Sequence, residues 1–125
     1  MTELGYAQTT AVFATASGQP VDVPGMSVTV DVGARPIKVI LDGLFSQTVA
    51  GAYIGLTLLD GAVQIQSAYA TAGVAGAFVP VHREVRLTPP AGPRTFRLQM
   101  CAAGLGQVWM HAAAAYPCFL QVVEL

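Results

Sequence analysis

The amino-acid sequence predicts an all-β protein that forms one domain over residues 1–125. Apolar residues recur at every second position in several segments, as they do in strands with one buried face. No window of useful length carries the 3.6-residue apolar period of an amphipathic helix. Gly- and Pro-rich turns separate the alternating segments, and 125 residues are too few for two well-packed cores.

Three segments show the alternation most clearly. Each pairs an apolar face with a polar or mixed face, which predicts a strand that contacts a core on one side. The residues expected to face the core are Val28, Val30, Val32, Ile37, Val39, Leu41, Phe96, Leu98 and Met100.

The strongest local signal is a hairpin around Asp60 and Gly61. This dipeptide favours a two-residue type I′ turn, in which both positions have positive φ. Such a turn would place Leu58 opposite Val63 and give the hairpin one apolar face.

A second hairpin is predicted from residues 82–87 and 94–100. The intervening residues 88–93 contain three prolines and a glycine and cannot continue a strand. In this hairpin Glu84 would meet an arginine across the strands. The arginines serve either as solvated cross-strand partners or as contacts with another subunit.

The remaining turn signals give a count of eight to ten strands, which predicts a sandwich or barrel. One of these turns is Gly104-Leu105-Gly106. A jelly roll agrees best with a strand count near eight. An immunoglobulin-like sandwich is the second interpretation, although the Cys…Trp…Cys arrangement of such domains is absent. Residues 1–5 are expected to form a short tail.

Composition argues against several classes of partner. A net charge of −1 without a basic stripe disfavours nucleic acid, and no uninterrupted apolar run reaches membrane-spanning length. The N-terminus lacks the features of a signal peptide. The two cysteines, Cys101 and Cys118, are either buried free thiols or one bridge.

The sequence offers little for catalysis. His82 and His111 lie far apart without metal-ligand spacing, and the acidic residues are scattered singly. Nucleophile and phosphate-binding motifs are missing from the sequence. We therefore predict no enzyme activity, cofactor or metal; a cupin-like enzyme would need converging His and Glu ligands.

Assembly is the function that the composition favours. Charged residues make up only 10% of the chain, against about 25% in typical soluble domains. Several apolar residues point away from the predicted core, and residues 118–123 are apolar on both faces, as in a central strand or a subunit interface. We predict a homo-oligomer, of three-fold order as expected for jelly rolls. The interface candidates are Ile40, Tyr53, Leu59, Arg83, Arg86, Arg97, Trp109, His111, Leu120 and Val122.

Five segments carry a resemblance to a known group of proteins: residues 4–10, 24–30, 56–65, 85–98 and 115–124. In these segments the chain resembles small virion proteins of tailed phages that infect actinobacteria. The resemblance implies a compact jelly roll of the tumour-necrosis-factor or C1q kind, without catalytic residues.

The same resemblance implies a function in the virion. The expected role is a capsid decoration or minor capsid protein, which is made in the host cytoplasm and binds the major capsid protein on the outer shell as a trimer. The alternative is a tail- or fibre-associated protein that binds glycan through exposed aromatics such as Trp109, Tyr53 or Tyr69.

Overall fold

The computed structural model describes residues 2–103 and 105–125, and over these ranges it contains ten β-strands and no helix. The predictions of an all-β fold and of eight to ten strands are confirmed. No segment in the described part of the chain forms a helix of the length and apolarity that crossing a bilayer requires. The strands are β1 Thr2–Thr9, β2 Phe13–Thr15, β3 Val21–Val32, β4 Ile37–Gln47, β5 Tyr53–Asp60, β6 Val63–Thr71, β7 Val79–Leu87, β8 Gly92–Cys101, β9 Val108–His111 and β10 Cys118–Glu124.

The strands pair in a nested order. β1 pairs with β10, β2 with β9, β3 with β8, β4 with β7 and β5 with β6, and all five pairs are antiparallel. The chain is thus one long hairpin that has rolled up on itself, which is the jelly-roll arrangement. The predicted jelly roll is confirmed, and the immunoglobulin-like alternative does not describe this pairing.

Two sheets form the sandwich. Sheet A follows the order β1-β10-β4-β9-β2, with β7 paired to β4, and sheet B follows the order β3-β8-β5-β6. Strand β4 is the centre of sheet A, because β7 runs along one of its edges while β10 and β9 share the other. The outer face of each sheet is the surface that points away from the partner sheet.

The core between the sheets contains all nine residues that the alternation predicted to face inward; each is at most 8% exposed. It also contains Leu120 and Val122, both 0% exposed. Their prediction as interface residues is wrong. Leu120 and Val122 pair with the buried Leu41 and Val39 of β4, so their side chains face the core and are closed to a partner.

The predicted β5–β6 hairpin is present, but its turn and register differ from the prediction. Gly61 and Ala62 form the turn, and Asp60 pairs with Val63. Of these, Gly61 alone has positive φ, at 61°, which fits a type II′ turn and excludes type I′. A register shift after Leu58 then places Gln66 opposite that residue.

The second predicted hairpin is wrong. Strand β7 pairs with β4 in sheet A, whereas β8 pairs with β3 and β5 in sheet B. The proline-rich residues 88–91 therefore link the two sheets, since nested pairing gives each strand a partner distant in sequence. Glu84 meets Lys38 at 3.0 Å and no arginine of β8.

Two smaller predictions are also settled within the described residues. Residues 2–5 are not a tail, because β1 begins at Thr2 and Leu4 packs against the core. Cys101 and Cys118 are both buried free thiols, so the bridge alternative does not hold. Met1 of the predicted tail and Gly104 of the predicted turn lie outside the described residues.

Candidate functional site: the outer face of sheet A

The outer face of sheet A carries two apolar groups of side chains, with Asp42 of the central strand β4 between Ile40 and Leu44. The groups are formed by residues that alternate with core residues: in β4, Ile40 and Leu44 lie between the buried Val39, Leu41 and Phe45. The pairing register then brings outward residues of the neighbouring strands beside them. We call this surface the apolar face, and its members are Tyr6, Ile40, Leu44, Phe78, Trp109, His111 and Phe119.

Aromatic contacts connect the apolar face in two groups. Tyr6 and Phe119 are stacked, with ring centroids 5.5 Å apart. At the other end His111 contacts Phe78 at 4.3 Å and stacks on Trp109 at 6.2 Å. Tyr6 and Phe78 remain 44% and 56% exposed, while the other five members are half-buried. Clustered aromatics of this kind are typical of the centre of a protein interface.

His111 is the titratable group of the apolar face. Its Nε2 lies 2.6 Å from Oγ of Ser46, which is buried. Burial lowers the pKa of His111 below its ordinary value, because the surrounding side chains replace water that would solvate the imidazolium. The neutral ring, which this environment favours, suits a surface that packs against another protein.

Charged residues interrupt the apolar face along β4 and β7; they are Lys38, Asp42, His82 and Glu84, and we call them the charged margin. His82 lies between two carboxylates, with Nδ1 2.9 Å from Asp42 and Nε2 3.4 Å from Glu84. The hydrogen bond that His82 donates to the carboxylate of Asp42 is the main cause that raises the pKa of His82. The bond from Lys38 lowers the pKa of Glu84. The margin is solvated, so its charges contribute more to orientation and specificity than to affinity.

Four of the predicted interface residues lie on the outer surface of sheet A. Ile40, Trp109 and His111 belong to the apolar face, and Arg86 lies opposite Lys38 beside the charged margin. Trp109 is half-buried, and its Nε1 donates a hydrogen bond to Gln107.

The other predicted residues lie elsewhere. Tyr53 and Arg97 are on the outer face of sheet B. Leu59 is 7% exposed, and its interface prediction is wrong, because Arg97 opposite it reaches along β5 to the carbonyl oxygen of Gly61. Arg83 pairs with the buried Leu41, so it lies on the core side of β7 and is half-buried there. It is therefore not part of the outer face of sheet A.

Sequence reasoning missed four members of the apolar face: Tyr6, Leu44, Phe78 and Phe119. Leu44 and Phe119 each alternate with buried neighbours, so the period-two pattern that predicts an outward position for Ile40 also predicts one for them. Tyr6 comes directly after the predicted tail of residues 1–5, where no strand is expected. Phe78 precedes β7, and only the three-dimensional pairing brings it against His111.

The described part of the chain contains no cluster of side chains suited to bind a metal ion. Across residues 2–103 and 105–125, no group of three or more His, Cys, Asp or Glu residues is placed to hold a metal ion. Asp42, His82 and Glu84 act instead within an ion-pair network.

Comparison with known proteins supports the fold and leaves the function open. No protein-family model and no curated protein matches the sequence. Among solved structures, the chain is similar over its whole length to the Eiger TNF of S. frugiperda, with 9% identity, 94% of that chain covered and a TM-score of 0.64.

Two further structures are similar at a TM-score of 0.53. One is the C-terminal domain of EclA, a sugar-binding protein, at 8% identity over 92% of this chain and 79% of that chain. The other is the insecticidal delta-endotoxin Cry8Ea1 of Bacillus thuringiensis, at 6% identity over 91% of this chain and 19% of that chain. The protein is therefore a jelly roll of the tumour-necrosis-factor kind in fold.

Proposed function

We propose that this chain is a non-enzymatic structural protein of a tailed-phage virion, a capsid decoration or minor capsid protein that binds the outer shell as a homotrimer. The apolar face is the observation that carries the assembly part of this proposal. The virion part is supported by the resemblance of five sequence segments to small phage virion proteins.

The apolar face favours a protein partner because two groups of aromatic side chains are partly exposed on it. Burying such a surface yields about 25 cal/mol for each Å² of apolar area removed from water. A surface of this kind is rare on a soluble monomer, and this chain has few charges to offset it. A second copy of the chain is the partner proposed here. The three-fold order follows the expectation for jelly rolls.

Binding to a shell explains how such a trimer would act. A protein that binds only the assembled capsid stabilises it by mass action, in proportion to the logarithm of its concentration over its dissociation constant. The major capsid protein is the partner proposed for the surfaces that the trimer leaves free. No bond-making chemistry is needed for this function.

The test is the location of the protein and its effect on the shell. A cryo-EM map of virions should show three-fold density of this fold on the outer capsid. Particles that lack the protein should lose their contents at a lower temperature, and adding purified protein should restore the wild-type temperature. A capsid without such density, or particles of unchanged heat resistance, would contradict the proposal.

The alternative function, glycan binding by a tail- or fibre-associated protein, does not receive support from Trp109. Its indole is half-buried among other members of the apolar face and would be covered on assembly. The exposed tyrosines of sheet B favour this alternative instead, and the sugar-binding protein of similar fold agrees with it.

A further inference from the structure

A pair of exposed tyrosines lies on the outer face of sheet B, on the opposite side of the sandwich from the apolar face. Tyr53 of β5 and Tyr69 of β6 are 56% and 61% exposed, and their rings meet edge to face with centroids 5.6 Å apart. With Ala103 they line an open basin of about 510 Å³. We propose that this basin, here called the tyrosine basin, binds a neutral saccharide.

Gly55 makes room for the Cys101 side chain next to the tyrosine pair. Gly55 pairs with Tyr69 on one side and with Cys101 on the other. A Cβ at position 55 would lie 2.5 Å from Sγ of Cys101 and 3.5 Å from Cε1 of Tyr69. Glycine therefore allows the small Cys101 side chain to pack over β5 beside Tyr69.

The walls of the basin are held in place by the buried Gln47. Its Nε2 donates hydrogen bonds to the backbone oxygens of Tyr53 and Leu105, both at 3.0 Å. Ala103, two residues before Leu105, has a φ of 50°, a left-handed conformation that non-glycine residues rarely adopt. The hydrogen bond from Gln47 thus holds the backbone of Tyr53 in place at one wall of the basin.

The chemistry of the surface selects the class of ligand. Tyrosine rings present an apolar face to the C–H groups of a sugar ring, and their hydroxyls donate and accept hydrogen bonds. The next row across the sheet contains Ser67, Thr57 and Gln99, which are uncharged hydrogen-bonding residues. A sugar, with an apolar ring face and a hydroxyl rim, matches this combination.

Charge argues against an ionic ligand. Beyond Gln99, Asp22 and Arg97 form an ion pair with each other, so neither offers an isolated charge to a ligand.

Because the tyrosine basin and the apolar face lie on opposite sides of the sandwich, the basin stays open in the proposed trimer. The inference therefore depends on neither the trimer nor the capsid location.

Saturation-transfer difference NMR tests the proposal, with methyl glycosides of glucose, galactose, mannose and N-acetylglucosamine as probes at millimolar concentration. At least one probe should receive saturation from the intact protein. Tyr53→Ala and Tyr69→Ala should each weaken its binding by at least about tenfold, which corresponds to about 1.4 kcal/mol. Tyr69→Phe should retain most of the binding because the ring face remains.

The matched control is Tyr116→Ala, since Tyr116 is 46% exposed and lies away from the basin beside Ala113. This variant should bind the probe as the wild type does. The proposal is overturned if no neutral glycoside binds, if sialic acid alone binds, or if the Tyr53→Ala/Tyr69→Ala double variant binds normally. Amide NMR spectra verify that each variant is folded. If the native mass of the tyrosine variants equals that of the wild type, a loss of saccharide binding is not caused by a loss of assembly.

Discussion

His111 contacts Phe78 across strand β4, with ring centroids 4.3 Å apart on the outer face of sheet A. A residue of β9 and a residue just before β7 thus form one aromatic cluster, because β4 pairs with both strands. The contact places an imidazole, which titrates near neutral pH, inside a surface proposed to be covered by protein.

The first prediction concerns the pH dependence caused by His111. Its pKa is lowered in the folded protein, so the unfolded state binds more protons once the pH falls below about 6.5. Wild-type protein should therefore lose stability relative to His111→Gln as the pH is lowered from about 7.5 to about 5. Urea unfolding at several pH values measures this difference, and an equal pH dependence of the two proteins would contradict it.

His82 is the matched control, because its pKa is shifted in the opposite direction. A raised pKa gives stabilisation that is present below the unfolded pKa and is lost as the pH rises through the folded pKa. The stability difference between wild type and His82→Gln should therefore be largest in acid and vanish in mild alkali. The effect should be small, since the His82 side chain is 52% exposed and solvent screens its ion pairs.

Leu120→Ala should destabilise the folded subunit itself. Leu120 is fully buried between the sheets, and removing such a side chain costs about 2–5 kcal/mol through lost burial and the cavity left behind. The free energy of unfolding measures this loss. A variant of wild-type stability that fails only to assemble would show instead that Leu120 lies at an interface.

Gln47→Met should loosen the loops around β5 and β9. Gln47 is 1% exposed; its amide nitrogen donates to two backbone oxygens, and its Oε1 accepts from the backbone nitrogen of Val49. Methionine is of similar size but leaves these groups unpaired, at about 1–3 kcal/mol for each group that stays buried. Hydrogen exchange should accelerate at Val49 and nearby residues, while amides at the centre of β10 should be less affected. Unchanged exchange at Val49 would contradict this role.

Much of the fold follows from local patterns in the sequence. The alternation of Val28, Val30 and Val32, and of Ile37, Val39 and Leu41, depends only on one face being buried, and it predicted the core correctly. The proline-rich segment predicts an irregular stretch over residues 88–93, which is correct for 88–91 but wrong for Gly92 and Pro93, because these begin β8 on the edge opposite β3. The pairing predicted for its flanking strands is also wrong. Sequence proximity favours a hairpin, whereas the link between the sheets depends on which distant strand is already in place.

The candidate functional surface was harder to predict, because it also depends on pairing between strands that are distant in sequence. A doubly apolar segment such as residues 118–123 has the same pattern in a central strand and at an interface. Only the position of β10 between β1 and β4 shows that Leu120 faces the core while Phe119 faces outward. Tyr6 and Phe78 reach the apolar face through pairing over long sequence distances, which local periodicity does not encode.

Native mass spectrometry of three proteins tests the central claim, assembly through the apolar face, most directly. Wild-type protein at micromolar concentration should have three times the 13.0 kDa mass of the chain. Ile40→Glu should be monomeric and folded, because a carboxylate beside Glu84 and Asp42 would add a like charge to a surface that the interface covers. Ser67→Glu, an exposed change on the outer face of sheet B, should remain trimeric. A monomeric wild type, or an Ile40→Glu variant that keeps the trimer mass, would contradict the account.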